Sequence, residues 1–301
     1  MDDKGLGTAY HFSAGEGWTQ GKLDFFVVPQ RNFTEEEHLI WHTLYKRQSE
    51  VLKGRAISLF TDSLSTLGIA QDRIPDFAEV NEILMKRTGW QVVPVPGLIP
   101  DEPFFELLAN RRFPAGNFIR TKEQLDYIQE PDVFHDLFGH VPILADPVFA
   151  NHMEAYGHGG LKAAKLGMTD KLARLYWYTV EFGLIQEPQG LRIYGAGILS
   201  SPTESIFSLE SDSPHRIAFN LRRILQTRFR IDDFQDNYFV IDSAKQLFAE
   251  TQEDFAPIYA ALTAAPEYEP GTIISSDSVL QKGTGVYAIE AASRRAKQMK
   301  K

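Results

Sequence analysis

Two histidines five residues apart, His135 and His140 in EPDVFHDLFGHVP, are the first side chains whose type and spacing could do chemistry. On an ideal α-helix five residues set side chains ~140° apart, so one unbroken helix cannot aim both imidazoles at one ion. A break at Gly139 would allow it, with His135 projecting from a short helix and His140 turning back after it. On spacing alone, two satisfied core histidines are the commoner arrangement. A third residue shifts the balance. Glu181 is the only ionisable acid in the aromatic run LYWYTVEFGLI, and a buried carboxylate must pair, take up a proton or bind a metal. Arg174 and Arg192 are the pairing partners that would make it ordinary. Two neutral imidazoles and one carboxylate suit iron(II), with positions left open for water, oxygen and substrate; zinc uses the same set in hydrolases. The neighbouring Phe134, Phe138, Tyr176, Trp177, Tyr178 and Phe182 favour a dry oxygenase pocket, although such stripes are more often plain core.

The remaining histidines carry less. His38 and His42 have the i, i+4 spacing of helical metal ligands, but the segment reads HLIWH and lacks the glutamate of HExxH. They are expected on a partly exposed helix face. His152 and His158 flank a glycine-rich turn and are expected to be surface or loop residues, while His11 and His215 are ordinary.

The elements that must position these groups are mainly helical. TEEEHLIWHTLYKRQSEVLKG reads as a helix with a Thr34–Glu37 capping box and a stop at Gly54. RAISLFTDSLSTLG follows with Ile57, Phe60, Leu64 and Leu67 on one stripe, and IPDFAEVNEILMKRTG with Phe77, Val80, Ile83 and Leu84. WQVVPVPGLIP contains three prolines and is expected to be a rigid extended loop. EPFFELLANRR and TKEQLDYI read as short helices, and Asp132 can cap VFHDLF, which Gly139 and Pro142 terminate. A long helical signal starts at Thr169; QEPQG is a turn, LRIYGAGIL extended and SPTESIFSLE a short helix. NYFVID reads as a strand and SAKQLFAETQEDFAPIYAALTAA as a helix capped by Ser243. DFFVVP is an extended piece in an otherwise irregular N-terminal stretch of about thirty residues. GTIISS and TGVYAIE are expected as late strands, before a solvated basic tail over 292–301.

Composition narrows the classes. The chain has 301 residues and no cysteine, which excludes disulfides, thiolate zinc sites and iron–sulfur clusters. A net charge of −9 argues against a general nucleic-acid binder. No apolar run approaches the ~20 residues of a membrane helix, and MDDKGLGTAY lacks a secretory pattern. The expectation is a cytoplasmic enzyme without nucleic-acid or membrane partners.

EPDVFHDLFGHVPILAD, LYWYTVEFGL and YGAGILSS resemble the three signature segments of the pterin-dependent aromatic amino acid hydroxylases. The match in order and spacing runs from about residue 90 to 250. The overall form is similar to the short bacterial members. The resemblance implies that family's mainly α catalytic-domain fold with a few short strands, one domain over 1–301. It also implies no regulatory domain, no tetramerisation tail and a monomer.

The resemblance further implies roles. His135, His140 and Glu181 match the iron ligands and hence the catalytic centre. Arg120 matches the arginine that binds the substrate carboxylate, a task for which the guanidinium fork is suited, and Asp132 the acid that orients it. Pro131, Trp177, Phe182 and Gly197 correspond to the lining of the ring pocket, and Ser200 to a hydroxyl that steadies the first iron histidine. Phe104 matches the ring that stacks on the pterin, with Gly97, Ile99, Asp136, Ala173 and Tyr176 at other pterin-facing positions. The implied reaction is hydroxylation of L-phenylalanine to L-tyrosine by dioxygen with Fe(II) and tetrahydrobiopterin or a related bacterial pterin, as in phenylalanine catabolism. Tyrosine is the alternative substrate within the family. Tryptophan is disfavoured because Trp177 stands where tryptophan-specific members tend to have phenylalanine. The alternative from another class is a His/His/Glu zinc hydrolase. Ile128, Asp136 and Pro114 depart from the threonine, glutamate and polar ring that animal members carry at these places, which bears on fine pterin and substrate contacts.

Overall fold

The computed structural model describes residues 17–252 and 254–298. His11, the start of the irregular N-terminal stretch and the last three residues of the basic tail lie outside the described residues.

The first helices form where the capping and apolar signals put them. Helix α1 (Glu35–Val51) carries both halves of the Thr34–Glu37 capping box. Helices α2 (Ser58–Thr66) and α3 (Phe77–Thr88) follow, the latter capped by the Asp76 side chain and closed by Gly89 at φ 73°. Their stripes Ile57, Phe60, Leu64, Leu67, Phe77, Val80 and Leu84 are buried in one continuous apolar cluster.

The proline-rich segment expected to be irregular instead contains strand β1 (Gln91–Val95), which pairs in parallel with β2 (Arg112–Gly116) around helix α4 (Asp101–Ala109). In a two-stranded sheet both strands are edges, where proline is tolerated. The outward-facing carbonyl of Pro94 accepts from the Val28 N–H at 2.9 Å. DFFVVP itself forms no strand; it takes turns closed by the Phe25 N–H on the Lys22 carbonyl and the Val27 N–H on the Asp24 carbonyl. TKEQLDYI reduces to one 3₁₀ turn, Lys122–Gln124.

The largest omission is helix α5 (Pro147–Leu166), capped by Asp146 with Pro147 in its first turn. Its glycines mask the helical pattern, yet two of them make it possible to lie on α4. A Cβ at Gly157 would sit 2.3 Å from the Ala109 nitrogen, and one at Gly160 2.2 Å from the Phe105 ring. Helix α6 (Thr169–Tyr176) begins as expected.

Strands β3 (Leu184–Glu187) and β4 (Gly190–Ile193) form a hairpin about the expected turn. LRIYGAGIL is extended only in its first half, because Gly195 leads into helix α7 (Ala196–Leu199). Helix α8 (Pro202–Glu210), β5 (His215–Ala218), α9 (Leu221–Leu225) and β6 (Asn237–Ile241) follow. The helix expected from Ser243 is two helices, α10 (Ala244–Thr251) and α11 (Phe255–Leu262), the second with its own cap at Asp254. Of the two late strands neither forms. GTIISS is irregular, a strand β7 (Val279–Gln281) lies after it, and VYAIE opens helix α12 (Val286–Gln298). The five-stranded sheet has the order β4-β3-β6-β5-β7. The class is mainly α with a few short strands, as expected.

Candidate metal centre and its two cavities

Gly139 does not break a helix. Residues His135–His140 form a π-helical turn, followed directly by a 3₁₀ turn over Val141–Ala145 that contains Pro142. A turn closed by i→i+5 bonds brings residues five apart to one face, which is how His135 and His140 come together. Gly139 serves packing instead, since a Cβ there would lie 2.9 Å from the Ala196 carbonyl oxygen in α7. Glu181 ends a second π-helical turn, Trp177–Glu181, that runs on from α6.

These turns bring three donor atoms together. His135 Nε2 and His140 Nε2 are 3.0 Å apart. Glu181 Oε1 is 3.0 Å from His140 Nε2, and Oε2 is 3.6 Å from His135 Nε2. Neither expected arginine answers Glu181: Arg174 bonds to Glu267 and the Leu225 carbonyl, and Arg192 to the carbonyls of Leu191 and Gln189. Burial would push the Glu181 carboxyl up, but the two imidazoles outweigh it and hold it well below the usual carboxylate range. The Ser200 hydroxyl donates to the Ala196 carbonyl at 2.8 Å, so it accepts from His135 Nδ1 at 2.9 Å. That assignment puts the His135 lone pair on Nε2, facing Glu181. Among the described residues this is the one group of three or more His, Asp or Glu donors able to hold an ion. The spacing fits one: bonds of ~2.1 Å at right angles separate adjacent donors by ~3.0 Å.

Not every aromatic neighbour belongs to the site. Phe134 and Phe138 stack on each other, centroids 4.8 Å apart, within the core with Trp41 and Phe60. Tyr178 packs on Phe239 and donates to the Arg228 carbonyl. Tyr176, Trp177 and Phe182 alone of the six face the centre.

On one side of the triad lies a cavity of about 450 Å³ lined by Arg120, Ile128, Pro131, Trp177, Phe182, Gly197 and Ser200. Arg120 is buried and its Nε and Nη2 each lie 2.9 Å from an Asp132 carboxylate oxygen. This side-on grip leaves the Nη1/Nη2 end for a ligand. Asp132 itself is fully buried behind the arginine rather than in the cavity wall, and it also caps the His135 N–H at 3.0 Å. Burial would raise its carboxyl, but Arg120 holds it down. Gly197 keeps the cavity open, because a Cβ would lie 2.9 Å from the Phe182 ring and 3.1 Å from Glu181 Oε2.

Among the residues of this cavity that the sequence does not mark are Gln235 and Glu204. Gln235 Oε1 accepts the indole N–H of Trp177 at 2.8 Å. Glu204 accepts from Tyr238 Oη at 2.5 Å and from the Gln235 N–H at 3.3 Å, and burial pushes its carboxyl up to about 7. In SPTESIFSLE, Glu204 has the look of the acidic member of a serine cap. The cap signal is real, with Ser201 accepting from the Glu204 N–H, but the side chain turns inward.

The opposite cavity, about 240 Å³, is lined by Gly97, Ile99, Phe104, Asp136 and Tyr176 together with Phe113, Pro114 and Gly116. Ala173, the remaining pterin-facing position, does not line it; it lies one turn before Tyr176 on α6. The rings of Phe104 and Tyr176 meet edge to face, 5.9 Å between centroids. A Cβ at Gly97 would fall 2.5 Å from Glu130 Oε1. Asp136 accepts the Gly116 N–H at 2.7 Å, and burial raises its carboxyl to about 6. The two cavities share Leu98, Pro131, His135 and Glu181, so they meet at the triad.

The other described histidines stay outside. His38 accepts the Ile74 N–H and His42 meets Gln71, both half-buried as expected. His158 is exposed, but His152 is buried on α5 against Thr251, with burial lowering it to about 4. His215 accepts the Gly283 N–H at 2.8 Å.

Comparison with known proteins agrees with this geometry. A family described as biopterin-dependent aromatic amino acid hydroxylase matches residues 22–280. The chain is 59% identical over 256 residues to phenylalanine-4-hydroxylase of Ralstonia nicotianae, covering 85% of this chain and 82% of the relative. It is 57% identical over 260 residues to that of Chromobacterium violaceum, covering 86% and 88%. A crystal structure of phenylalanine hydroxylase from Chromobacterium violaceum with iron and phenylalanine bound superposes with a TM-score of 0.82 at 56% identity, covering 85% of this chain and 94% of that one.

Proposed function

The chain belongs to the biopterin-dependent aromatic amino acid hydroxylases, and from that membership and the site we propose how it converts L-phenylalanine to L-tyrosine with dioxygen. The observation that carries the residue assignment is the meeting of two cavities at His135, His140 and Glu181. One cavity offers a guanidinium and flat apolar rings, as an aromatic amino acid requires. The other offers Phe104 and Tyr176 to a flat heterocycle.

In this reading His135, His140 and Glu181 hold Fe(II) on three positions. When bound, the iron and the reduced pterin supply the electrons and activate dioxygen for transfer of one oxygen atom to the substrate ring. The chain supplies placement and dryness. The free end of Arg120 takes the substrate carboxylate, and Asp132 keeps the guanidinium aimed. Trp177 and Phe182 hold the ring, whose edge is directed past Gly197 to the triad. Pro131 and Ile128 close the cavity against water. Phe104 and Tyr176 hold the pterin, with Gly97 and Ile99 beside it and Asp136 fixed on Gly116. Ser200 keeps His135 in the tautomer that offers Nε2.

The continuous apolar cluster from Ile40 to Leu262 supports reading the chain as one catalytic domain. A cytoplasmic monomer is part of the same proposal; size-exclusion with light scattering tests the oligomeric state. Among the described residues no helix is long and apolar enough to cross a membrane.

An assay of iron-loaded protein with phenylalanine, tetrahydropterin and oxygen tests the function. Tyrosine is expected only when every component is present. Activity with zinc in place of iron, or turnover without pterin, would overturn the reading in favour of a hydrolase or another oxidase.

A further inference from the structure

Helix α12 lies beyond residue 280, where the family match ends. It nevertheless reaches the substrate cavity through a chain of hydrogen bonds. Tyr287, Ala291 and Arg295 are spaced four apart and share one face of the helix; Ala291 is buried, while Val286 and Ile289 on other faces are exposed. Tyr287 Oη donates to Asp233 Oδ1 at 2.5 Å, and Arg295 Nη1 to Asp233 Oδ2 at 2.5 Å. The Tyr287 ring also packs on Phe234 and Phe207, centroids 5.1 Å from each.

Asp233, Phe234 and Gln235 belong to the loop between α9 and β6 that walls the cavity. The Gln235 amide connects that loop to the indole. Its Nε2 donates to the carbonyls of Arg230 and Asp233 at 3.0 and 3.2 Å, and its Oε1 accepts from Trp177 Nε1 at 2.8 Å. The helix start is fastened independently: the N–H groups of Gly285 and Tyr287 bond to the Ser213 carbonyl and hydroxyl at 3.0 and 2.9 Å. Gly283 permits this approach, since a Cβ there would lie 2.2 Å from the Ser213 carbonyl oxygen.

We propose that α12 is a latch on the substrate cavity, in which Tyr287 and Arg295 are positioning residues that hold Asp233 and, through Gln235, fix the face of Trp177 presented to the substrate ring. This rests on the assignment of Trp177 to the ring pocket. The latch acts on phenylalanine binding and leaves the pterin cavity and the triad untouched, since none of its members lines that cavity or supplies a metal donor.

The test is steady-state kinetics of the iron-loaded full chain carrying Tyr287→Phe with Arg295→Gln, alongside Arg295→Lys and Trp177→Leu. The double variant is expected to raise KM for phenylalanine roughly tenfold, with kcat and KM for the pterin within about twofold. Arg295→Lys, which keeps a cation on Asp233, is expected to recover most of the loss. A double variant with unchanged KM for phenylalanine, while Trp177→Leu raises it, overturns the latch and leaves the ring pocket standing. An unchanged KM in Trp177→Leu overturns the ring-pocket assignment and the latch with it. Equal losses in both KM values and in thermal stability would reduce α12 to a general structural support and also overturn the latch.

Discussion

Ser200 accepts a hydrogen bond from His135 Nδ1–H at 2.9 Å while its own hydroxyl donates to the Ala196 carbonyl at 2.8 Å. One hydroxyl thereby sets both the tautomer and the ring orientation of the first candidate ligand. Ser200→Ala is expected to lower iron(II) affinity by ~10–100-fold, the usual scale for losing such a partner. An anaerobic iron titration measures it, and an unchanged affinity would remove Ser200 from this role.

Asp132 and Arg120 form a buried pair, 0% and 5% exposed, so truncating one leaves the other's charge uncompensated. Asp132→Ala is expected to cost ~3–5 kcal/mol in urea unfolding, with KM for phenylalanine raised as the guanidinium loses its aim. A loss below about 1 kcal/mol, the scale of an exposed pair, would contradict the argument.

Gly139→Ala tests packing at the π-helical turn. The added Cβ meets the backbone of Ala196, which cannot rotate away. The expected destabilisation is ~1–3 kcal/mol, accompanied by weaker iron binding because α7 leads directly into Ser200. Denaturant midpoints and the same iron titration read both effects; wild-type values in both would show that the turn has room to spare.

Glu204 gives a pH dependence of defined sign. Burial raises its carboxyl in the folded state to about 7 from the model-compound value of 4.5. Its neutral form is therefore favoured by folding. The contribution is present in full below the unfolded value and is lost as pH rises through about 7. The change is ~3 kcal/mol for a shift of this size. Glu204→Gln, which cannot ionise, is expected to flatten the decline in stability between pH 5 and 8 relative to the wild type. Parallel pH profiles for the two proteins would contradict it.

What the sequence revealed and what it hid follow from locality. Thr34 with Glu37, and Ser243, announce their helix starts because a cap is made by residues within four positions. Glu181 announces itself because a lone acid in LYWYTVEFGLI has to be answered. The π-helical winding at His135–His140 leaves no such mark, and a glycine in the right place suggested a break instead. Helix α5 was hidden because Gly157 and Gly160 look like loop residues unless the α4 backbone they admit is known. Strand β1 was hidden by prolines that an edge position tolerates. Gln235 and Glu204 were hidden for a different reason. They reach the cavity from loops and helices 58 and 23 residues from Trp177 and Glu181, and no local pattern connects them. The Phe134 and Phe138 rings show the opposite error, since a stripe beside a ligand turned out to be core.

The central claim is that substrate and pterin lie in separate cavities that meet at one iron. A crystal structure of the iron(II) protein with L-phenylalanine and tetrahydropterin, grown and measured without oxygen, tests it most directly. Iron is expected on His135, His140 and Glu181, the phenylalanine carboxylate on Arg120 with its ring against Trp177, and the pterin beside Phe104. Phenylalanine bound away from Arg120, or iron held by any other set of residues, would contradict it.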